Sequence, residues 1–425
     1  MTTIIYSSLF LNFFLVASFD NLGPRLSESH GISNQELSVI ISVKSFVNMV
    51  CGPVLALLSS KIPAALLFTL GGLCLTAAMT GVAFSVSVAG FMISRALHGV
   101  GTSGLMIGGM SVLMRCVRKK QRGKYTSIAY SAAGHAPLLA PILSGLMYDH
   151  LGQTWTFLIM AIFTFAVVSV SYVALSRVMR IPQLEQSESQ LTTIEKSMIW
   201  PCIKLIFQSP MTYVAVAGIL SDGFSFGCCE STLPATLVEW DNKSLSVLTT
   251  SLIYSVGPLA FTIVAPIAGY LVDKKGHHNV LLGGLILFTI FAPLFQLFTH
   301  TLVGVGACIA LAFAITAVCE VAIYPFIADI AERTAIPHAD TVAYAINELF
   351  IQAGYAVGNV CGRVLLDWNG FLAMGCFIAG WDAVAVVFSI FVLVLIKKRA
   401  AGKPSPPTEL EPEQSNRVVV SETSP

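Results

Sequence analysis

Long apolar stretches separated by short polar connections run along the chain from residue 3 to residue 396. A helix needs about 20 mainly apolar residues to cross the hydrocarbon core of a bilayer, and these stretches are long enough. The pattern therefore predicts an all-α membrane protein with about twelve spanning helices. We place these helices near 3–24, 36–59, 63–85, 88–114, 125–148, 154–177, 209–238, 246–272, 279–299, 302–330, 338–365 and 370–396.

The most polar interior stretch divides the predicted helices into two equal sets. It covers 178–208, which we interpret as a cytoplasmic central loop between an N-terminal bundle, 1–177, and a C-terminal bundle, 209–396. Each bundle would contain six helices, and the two would be pseudo-symmetric. The polar, Pro-rich tail 397–425 is expected to be disordered and cytoplasmic, because such a composition cannot bury enough apolar surface to fold.

Composition supports an integral, multi-pass membrane protein. Hydrophobic residues make up 55% of the chain and charged residues 11%, whereas soluble domains carry about 25% charge. The net charge of +1 gives no basic surface for nucleic acid. Ten scattered cysteines do not have metal-binding spacing, and the sequence contains no phosphate loop or nucleophile motif. We therefore expect no enzyme activity, no bound metal and no cofactor.

Basic residues concentrate in the loops that follow the even-numbered predicted helices. The loop after the fourth helix alone contains Arg115, Arg118, Lys119, Lys120, Arg122 and Lys124. The odd-numbered loops contain few, namely Arg25 and Lys243. Short loops rich in Lys and Arg stay in the cytoplasm. We therefore expect both termini to be cytoplasmic.

Charged side chains interrupt several of the predicted spans. A charge at the bilayer centre costs roughly 2.5–3.5 kcal/mol on insertion scales, so such residues usually face a polar cavity. Six of these side chains are acidic and two are basic, which favours a cavity that attracts a cation and exchanges protons. They are Asp20, Lys44, Arg95, Asp222, Glu230, Glu320, Glu348 and Asp382.

The loop between the eighth and ninth predicted helices carries a recognisable motif. Its residues run from Gly269 through Asp273, Lys274 and Gly276, and they resemble the G-x-L-x-D-[RK]-x-G-[RK] signature of the major facilitator superfamily. The resemblance implies a gating role, in which Gly allows close helix packing and Asp caps a helix end. The equivalent loop of the first half, which ends at Lys61, lacks the Asp.

Two first-half helices add to this resemblance. Arg95, followed by Gly99 and Gly101, is similar to the superfamily's R-x-x-x-G-x-G segment of helix 4. Small residues at this spacing let a neighbouring helix pack closely. The fifth helix contains Pro137 and Pro141 in a segment that resembles the Gly/Pro motif of proton-coupled antiporters, where Pro kinks the helix.

One branch of the superfamily, the vesicular amine transporters, gives more specific matches in the first half. Asp20 and Asn21 are similar to the branch's Asp-Asn pair in helix 1. Lys44 occupies the position of its intramembrane lysine, and Asn48 that of a Gln one turn further on. The resemblance implies that these residues line a substrate and proton site.

The second half matches the same branch. Glu230 lies in a segment similar to L-E-P-x-L-P of helix 7, and Glu320 has the spacing of the helix 10 acid. Glu348 and Tyr355 fall in segments similar to Y-A-I-A-D and G-Y-A-I-G-P of helix 11, although Asn359 replaces the final Pro. Glu also replaces Asp in helices 10 and 11. These departures argue against transferring the identity of the monoamine substrate.

The role of each candidate has an alternative. Asp20 either contacts a cation or reaches interfacial water at the helix end. Arg95 either lines the cavity or is a packed charge that holds backbone carbonyls. The resemblance suggests an ion pair between Lys44 and Glu348. Tyr355 either offers an aromatic wall to an ammonium or packs in the core.

Glu230 and Glu320 have no basic partner that the sequence identifies. A buried carboxylate without a partner is costly when ionised and tends to take up a proton, which suits a proton carrier. We therefore expect a monomeric secondary transporter in the bilayer, exchanging protons for an organic cation such as an amine, polyamine or drug. Its driving force would be a proton gradient, and its location the plasma membrane or an acidic vesicle.

Two other functions stay open. One is a uniporter or symporter for a neutral or anionic solute, which would need more basic residues in the cavity than Lys44 and Arg95. The other is a receptor or scaffold with a transporter fold that moves nothing. The number of intramembrane charges argues against the scaffold, since each is costly to bury.

Overall fold

The computed structural model describes residues 2–58, 62–117, 125, 128–129, 131–179, 200–239, 246–333 and 339–401. Within these ranges the regular structure is helical. The helices are α1 (Thr2–Ser29), α2 (Asn34–Leu58), α3 (Ala64–Phe84), α4 (Val88–Cys116), α5 (Ala132–Met179), α6 (Pro210–Glu239), α7 (Val247–Tyr254), α8 (Val256–Lys275), α9 (His277–Phe291), α10 (Phe295–Phe298), α11 (Leu302–Glu332) and α12 (Ala339–Ala401). A 3₁₀ turn, Ala292–Leu294, joins α9 to α10.

Two of these helices are too long to be single spans. Their apolar stretches contain 46 residues in α5 and 54 in α12, and at about 1.5 Å per residue a straight helix of either length would exceed twice the roughly 30 Å hydrocarbon core. Each is interrupted by a glycine with positive φ, Gly152 at 68° and Gly370 at 70°. A residue with positive φ breaks the helix and lets the chain reverse, and only glycine adopts this conformation at little cost.

Ten helical stretches among the described residues are long and apolar enough to cross a membrane. The α7–α8 segment counts as one of them. When α5 and α12 are each divided at their glycine, this number is consistent with the twelve spans predicted from the apolar pattern. The predicted all-α, multi-pass architecture is confirmed.

The predicted central loop differs from the structure at its end. Residues 200–208 are helical, because the apolar side chains of Cys202 and Ile206 are buried against the second half of the chain. Residues 180–199 and the tail from residue 402 lie outside the described residues. The predicted domain boundaries there stay predictions.

Each half of the chain has its own apolar core. One cluster of buried side chains is drawn from residues 5–175, and two others are drawn from residues 202–386. The helices therefore pack into an N-terminal and a C-terminal bundle. Polar and charged side chains left out of these cores are available for the surface where the bundles meet.

Glycines bring helices within each bundle into close contact. A Cβ atom at Gly99 of α4 would lie 2.6 Å from the backbone oxygen of Lys44 on α2. In the second bundle, a Cβ atom at Gly358 of α12 would clash with the backbone of Phe224 on α6. The expectation that Gly99 thins α4 is confirmed, and the contact fixes the backbone that carries Lys44.

Candidate functional site

Four intramembrane charges from both bundles form the centre of the candidate site. Lys44 of α2 lies near Glu230 of α6 and Glu348 of α12, Glu320 of α11 lies near both glutamates, and each of the four is partly exposed in mid-helix. Lys44 experiences the charges of Glu230 and Glu348, and Glu230 those of Lys44 and Glu320. Charges that interact across the two bundles must face the space between them. We call these four residues the central charge cluster.

Asp20 and Arg95 form a buried ion pair beside the cluster. The Arg95 Nη2 atom donates to Asp20 Oδ1 at 3.0 Å, and the two side chains are 1% and 2% exposed. The guanidinium also lies 4.3 Å from the centre of the Phe19 ring. The alternative that Asp20 reaches interfacial water is therefore wrong, because α1 continues well beyond it. Arg95 binds this carboxylate and makes no hydrogen bond to a backbone carbonyl of the described residues.

Lys44 and Glu348 do not form the ion pair that the resemblance suggested. Neither is in hydrogen-bonding contact with the other, and the Glu348 carboxylate instead accepts from Gln352 Nε2 at 3.3 Å. The physical reason is the number of neighbours: Asp20, Glu230 and Glu348 all attract the Lys44 ammonium, and Arg95 repels it. Lys44 is therefore shared among several carboxylates.

An aromatic row lies next to the acidic side of the cluster. The Tyr355 hydroxyl donates to Glu320 Oε1 at 2.9 Å, and its ring centre is 5.8 Å from that of Phe226. Phe226 in turn contacts Phe313, and Phe313 contacts Tyr254. Carboxylates beside aromatic faces are the surroundings that suit an organic ammonium. Sequence reasoning selected Tyr355 but missed the other three rings, which look like ordinary core residues in a linear sequence.

The two predicted asparagines make hydrogen bonds between helices. Asn48 accepts from Ser103 Oγ at 2.6 Å, which joins α2 to α4 inside the first bundle. Asn21 donates to Ser251 Oγ at 2.8 Å and more weakly, at 3.4 Å, to Ser144 Oγ. Because Ser251 belongs to α7, Asn21 connects the two bundles. Both asparagines are buried, so their first effect is to position helices.

Further contacts join the bundles at the end where α1 stops, which we call the distal end. The Asp149 carboxylate of α5 accepts from the backbone N–H of Val247 at 3.1 Å and of Leu248 at 2.8 Å, and so caps α7. Gln35 donates to Asp367 at 3.0 Å between α2 and α12. The described hydrogen bonds between the bundles, Asn21–Ser251 included, lie toward this end.

The signature loop is built differently from expectation. Gly276, with φ of 82°, ends α8 and donates its N–H to the Val272 carbonyl at 2.9 Å, so the cap is glycine and not Asp273. Asp273 is exposed and makes no hydrogen bond to a described residue. Lys274 lies over the Tyr270 ring at 4.6 Å.

The structure also tests the packing role expected of Gly269 and the helix kinks expected at Pro137 and Pro141. A Cβ atom at Gly269 would meet Val321 at an ordinary 3.9 Å, so this glycine is not required for close packing. Pro137 and Pro141 lie inside α5, and the Pro141 carbonyl accepts weakly from Asn21 at 3.4 Å. The backbone break in α5 is at Gly152 and not at either proline.

Comparison with known proteins decides the family. The Major Facilitator Superfamily profile matches residues 5–239 and 223–422. The chain belongs to the Major Facilitator Superfamily. Within the superfamily it is similar to the synaptic vesicular amine transporter of Rattus norvegicus, with 25% identity over 355 residues, covering 81% of this chain and 64% of the relative. The chromaffin granule amine transporter of Rattus norvegicus is 23% identical, covering 80% of this chain and 62% of the relative. The chain thus spans less than two thirds of the length of these relatives.

Solved structures of other transporters show the same fold. A peptide transporter POT in complex with sulfate matches with a TM-score of 0.66 and 15% identity, covering 93% of this chain and 94% of the other. A POT family transporter in complex with a thioalcohol conjugated peptide matches with a TM-score of 0.66 and 14% identity, covering 93% and 96%. At this identity the likeness concerns the fold alone.

Proposed function

We propose that the protein is a secondary active transporter that exchanges protons for an organic cation by alternating access. The observation that carries the proposal is the central charge cluster, in which one lysine of the first bundle lies near two carboxylates of the second, with a third carboxylate beside them. A site at the junction of two bundles, near mid-membrane, is the arrangement on which transporters with internal repeats depend.

The net negative charge of the central charge cluster favours a cationic substrate. Among the basic residues described inside the spans, Arg95 is paired with Asp20 at 3.0 Å and Arg363 with Asp367 at 2.7 Å, which leaves Lys44 to balance Glu230, Glu320 and Glu348. A cavity with this excess of carboxylate attracts cations and repels anions. The anionic-solute alternative is disfavoured for the same reason. The relatives named as amine transporters agree with this class of substrate.

Coupling follows from competition between two ligands. A carboxylate such as Glu230 or Glu320 attracts an ammonium when it is ionised and loses that attraction when it binds a proton. Substrate and proton therefore displace each other, and each shifts the protein toward the state that it binds better. The Tyr355 hydroxyl, 2.9 Å from Glu320, supplies a donor that orients the carboxylate for this exchange.

Alternating access requires that the two ends open in turn. The Asp149 cap on α7 and the Asn21–Ser251 hydrogen bond are consistent with a closed gate at the distal end. We assign this end to the outer or luminal side and both termini to the cytoplasm, because Lys274 and Lys275 in the last turn of α8 lie at the opposite end. A vesicle membrane is the proposed location, in keeping with the names of the relatives.

Flux into proteoliposomes tests this proposal. The purified chain is reconstituted, and uptake of amines, polyamines and cationic drugs is measured with and without an imposed pH gradient. Antiport predicts accumulation of at least one cation that requires the gradient and collapses with a protonophore. Uptake that ignores the gradient would indicate a uniporter, and the absence of flux for every solute would indicate a receptor or scaffold.

A further inference from the structure

A second group of buried acids lies inside the C-terminal bundle. Asp222 of α6 and Asp382 of α12 are both 0% exposed. Neither belongs to the central charge cluster. A carboxylate this deep in a bundle needs compensation by hydrogen bonds, by a basic partner or by a bound cation. The two aspartates differ in how they obtain it.

Asp382 is compensated by serine hydroxyls of α6. Ser221 Oγ donates to Asp382 Oδ1 at 2.5 Å, and Ser225 Oγ lies 2.9 Å from Oδ1 and 3.0 Å from Oδ2. Hydrogen bonds of hydroxyl groups to a carboxylate are short and strong when the carboxylate is ionised. The geometry therefore suits a negative charge on Asp382.

Asp222 has much weaker compensation. Within the part of the chain that the structure describes, neither of its buried carboxyl oxygens makes a hydrogen bond of normal geometry, and only the Cys319 thiol and the Thr316 hydroxyl lie near enough to act as weak donors. The groups that face it are Cys319 and Thr316 of α11, and the acids Glu320 and Asp382. The Thr316 hydroxyl is itself buried and makes no normal hydrogen bond to another described residue. None of these groups is basic, so an ionised Asp222 would lie beside two other acids with only weak neutral donors.

We propose that Asp222 is a proton-binding site, separate from the central charge cluster. A single proton on its carboxyl removes the repulsion from Asp382 and Glu320. It also gives Asp222 an O–H that can donate to a neighbouring oxygen, such as Thr316 Oγ. The ligand is a proton bound to one carboxyl oxygen, and no other group is transferred.

The position of Asp222 suggests how the proton is used. Asp222 is close enough to Glu320 for their charges to interact, and Glu320 is hydrogen-bonded to Tyr355 in the central site. An ionised Glu320 could thus take up the proton held by Asp222, so Asp222 would act as a proton donor deeper in the bundle. This use in coupling rests on the proposed proton antiport, whereas proton binding at Asp222 does not.

Infrared spectroscopy of the full-length protein in lipid tests proton binding directly. A protonated carboxyl has a C=O stretch that an ionised carboxylate lacks. We expect this band at neutral pH in the wild type, with a shift when aspartate is isotopically labelled, since the label separates aspartates from glutamates. The band should disappear in Asp222→Asn and persist in Asp382→Asn and in the surface control Glu28→Gln. Because Asn resembles a protonated Asp in shape and polarity, Asp222→Asn should fold.

Three results would overturn the proposal. One is an unchanged aspartate band in Asp222→Asn, and another is a wild-type band that does not respond to labelled aspartate, a measurement that needs no variant. The third is a band that appears only after sodium is removed, because a metal cation would then occupy the site. None of these readouts depends on transport, so failure of the antiport proposal would be seen separately, in the flux assay.

Discussion

The buried ion pair between Asp20 and Arg95 gives the sharpest prediction for folding. Asp20→Asn removes the carboxylate charge and keeps the shape of the side chain, while Arg95→Gln removes the opposite charge. In the structure the pair is 3.0 Å long and almost wholly buried, and the Arg95 Nε and Nη1 atoms make no hydrogen bond to any described residue. The guanidinium therefore depends on one carboxylate and on the face of Phe19.

The expected loss of stability follows from the isolation of the Asp20–Arg95 pair. Removing one partner of a buried pair leaves an uncompensated charge and typically costs about 3–5 kcal/mol. Removing both charges avoids that penalty, so the double variant Asp20→Asn with Arg95→Gln should be more stable than either single variant. The pair Arg25–Glu28, 3.3 Å long on the same helix, provides the comparison, with side chains that are 10% and 31% exposed. Because Glu28 reaches solvent, Glu28→Gln should cost less than either variant of the fully buried pair.

A double-mutant cycle measures these quantities. The free energy of unfolding is obtained for the wild type, both single variants and the double variant by denaturant titration in mixed micelles, with far-ultraviolet circular dichroism as the signal. A large coupling energy is expected between positions 20 and 95. Single variants as stable as Glu28→Gln, or strictly additive effects, would show that the two charges are not paired in the folded protein.

Three other predictions concern packing, gating and coupling. Gly99→Ala should destabilise the protein by about 1–3 kcal/mol, because its Cβ would lie 2.6 Å from a backbone oxygen of α2, whereas Gly283→Ala has open space and should be neutral in the same titration. Asp149→Ala removes the carboxylate that joins α5 to the start of α7, although the Ser246 side chain still caps that helix, and should increase the labelling of a cysteine placed between the bundles at the distal end; unchanged labelling would exclude a gating role. Tyr355→Phe removes the hydroxyl that donates to Glu320 and should alter the pH profile of uptake while the protein still folds. An identical profile would exclude a role of this hydrogen bond in coupling.

The sequence was most informative where burial is costly whatever the fold. A charge inside an apolar run is unusual, so Lys44, Arg95 and Glu230 could be selected without knowing their neighbours. Glycines with a steric role were also recognisable, as Gly99 shows, because no other residue allows so close a helix contact. Helix number and the two bundles follow from the apolar pattern in the same way.

Partners were harder to predict, because they depend on how helices rotate and which faces meet. Asp20 and Arg95 are 75 positions apart, and the sequence gives no rule that joins them. The expected Lys44–Glu348 pair was wrong since several carboxylates compete for one ammonium. The hydrogen bonds to backbone N–H groups made by Asp149 were missed as well, because they arise only when two bundles come together.

Proton-driven uptake in the two glutamate variants tests the central claim most directly. Glu230→Gln and Glu320→Gln keep the shape and hydrogen-bonding capacity of each side chain but cannot ionise. Uptake of a cation found to be transported by the wild type is measured in proteoliposomes under a pH gradient, together with equilibrium binding across pH, and Glu28→Gln serves as control. The account predicts that both central variants fold but lose gradient-driven uptake, with binding of the cation weakened in at least one, while the control transports normally. Uptake that persists in both variants, with an unchanged pH dependence of binding, would contradict the assignment of these carboxylates as the coupling site.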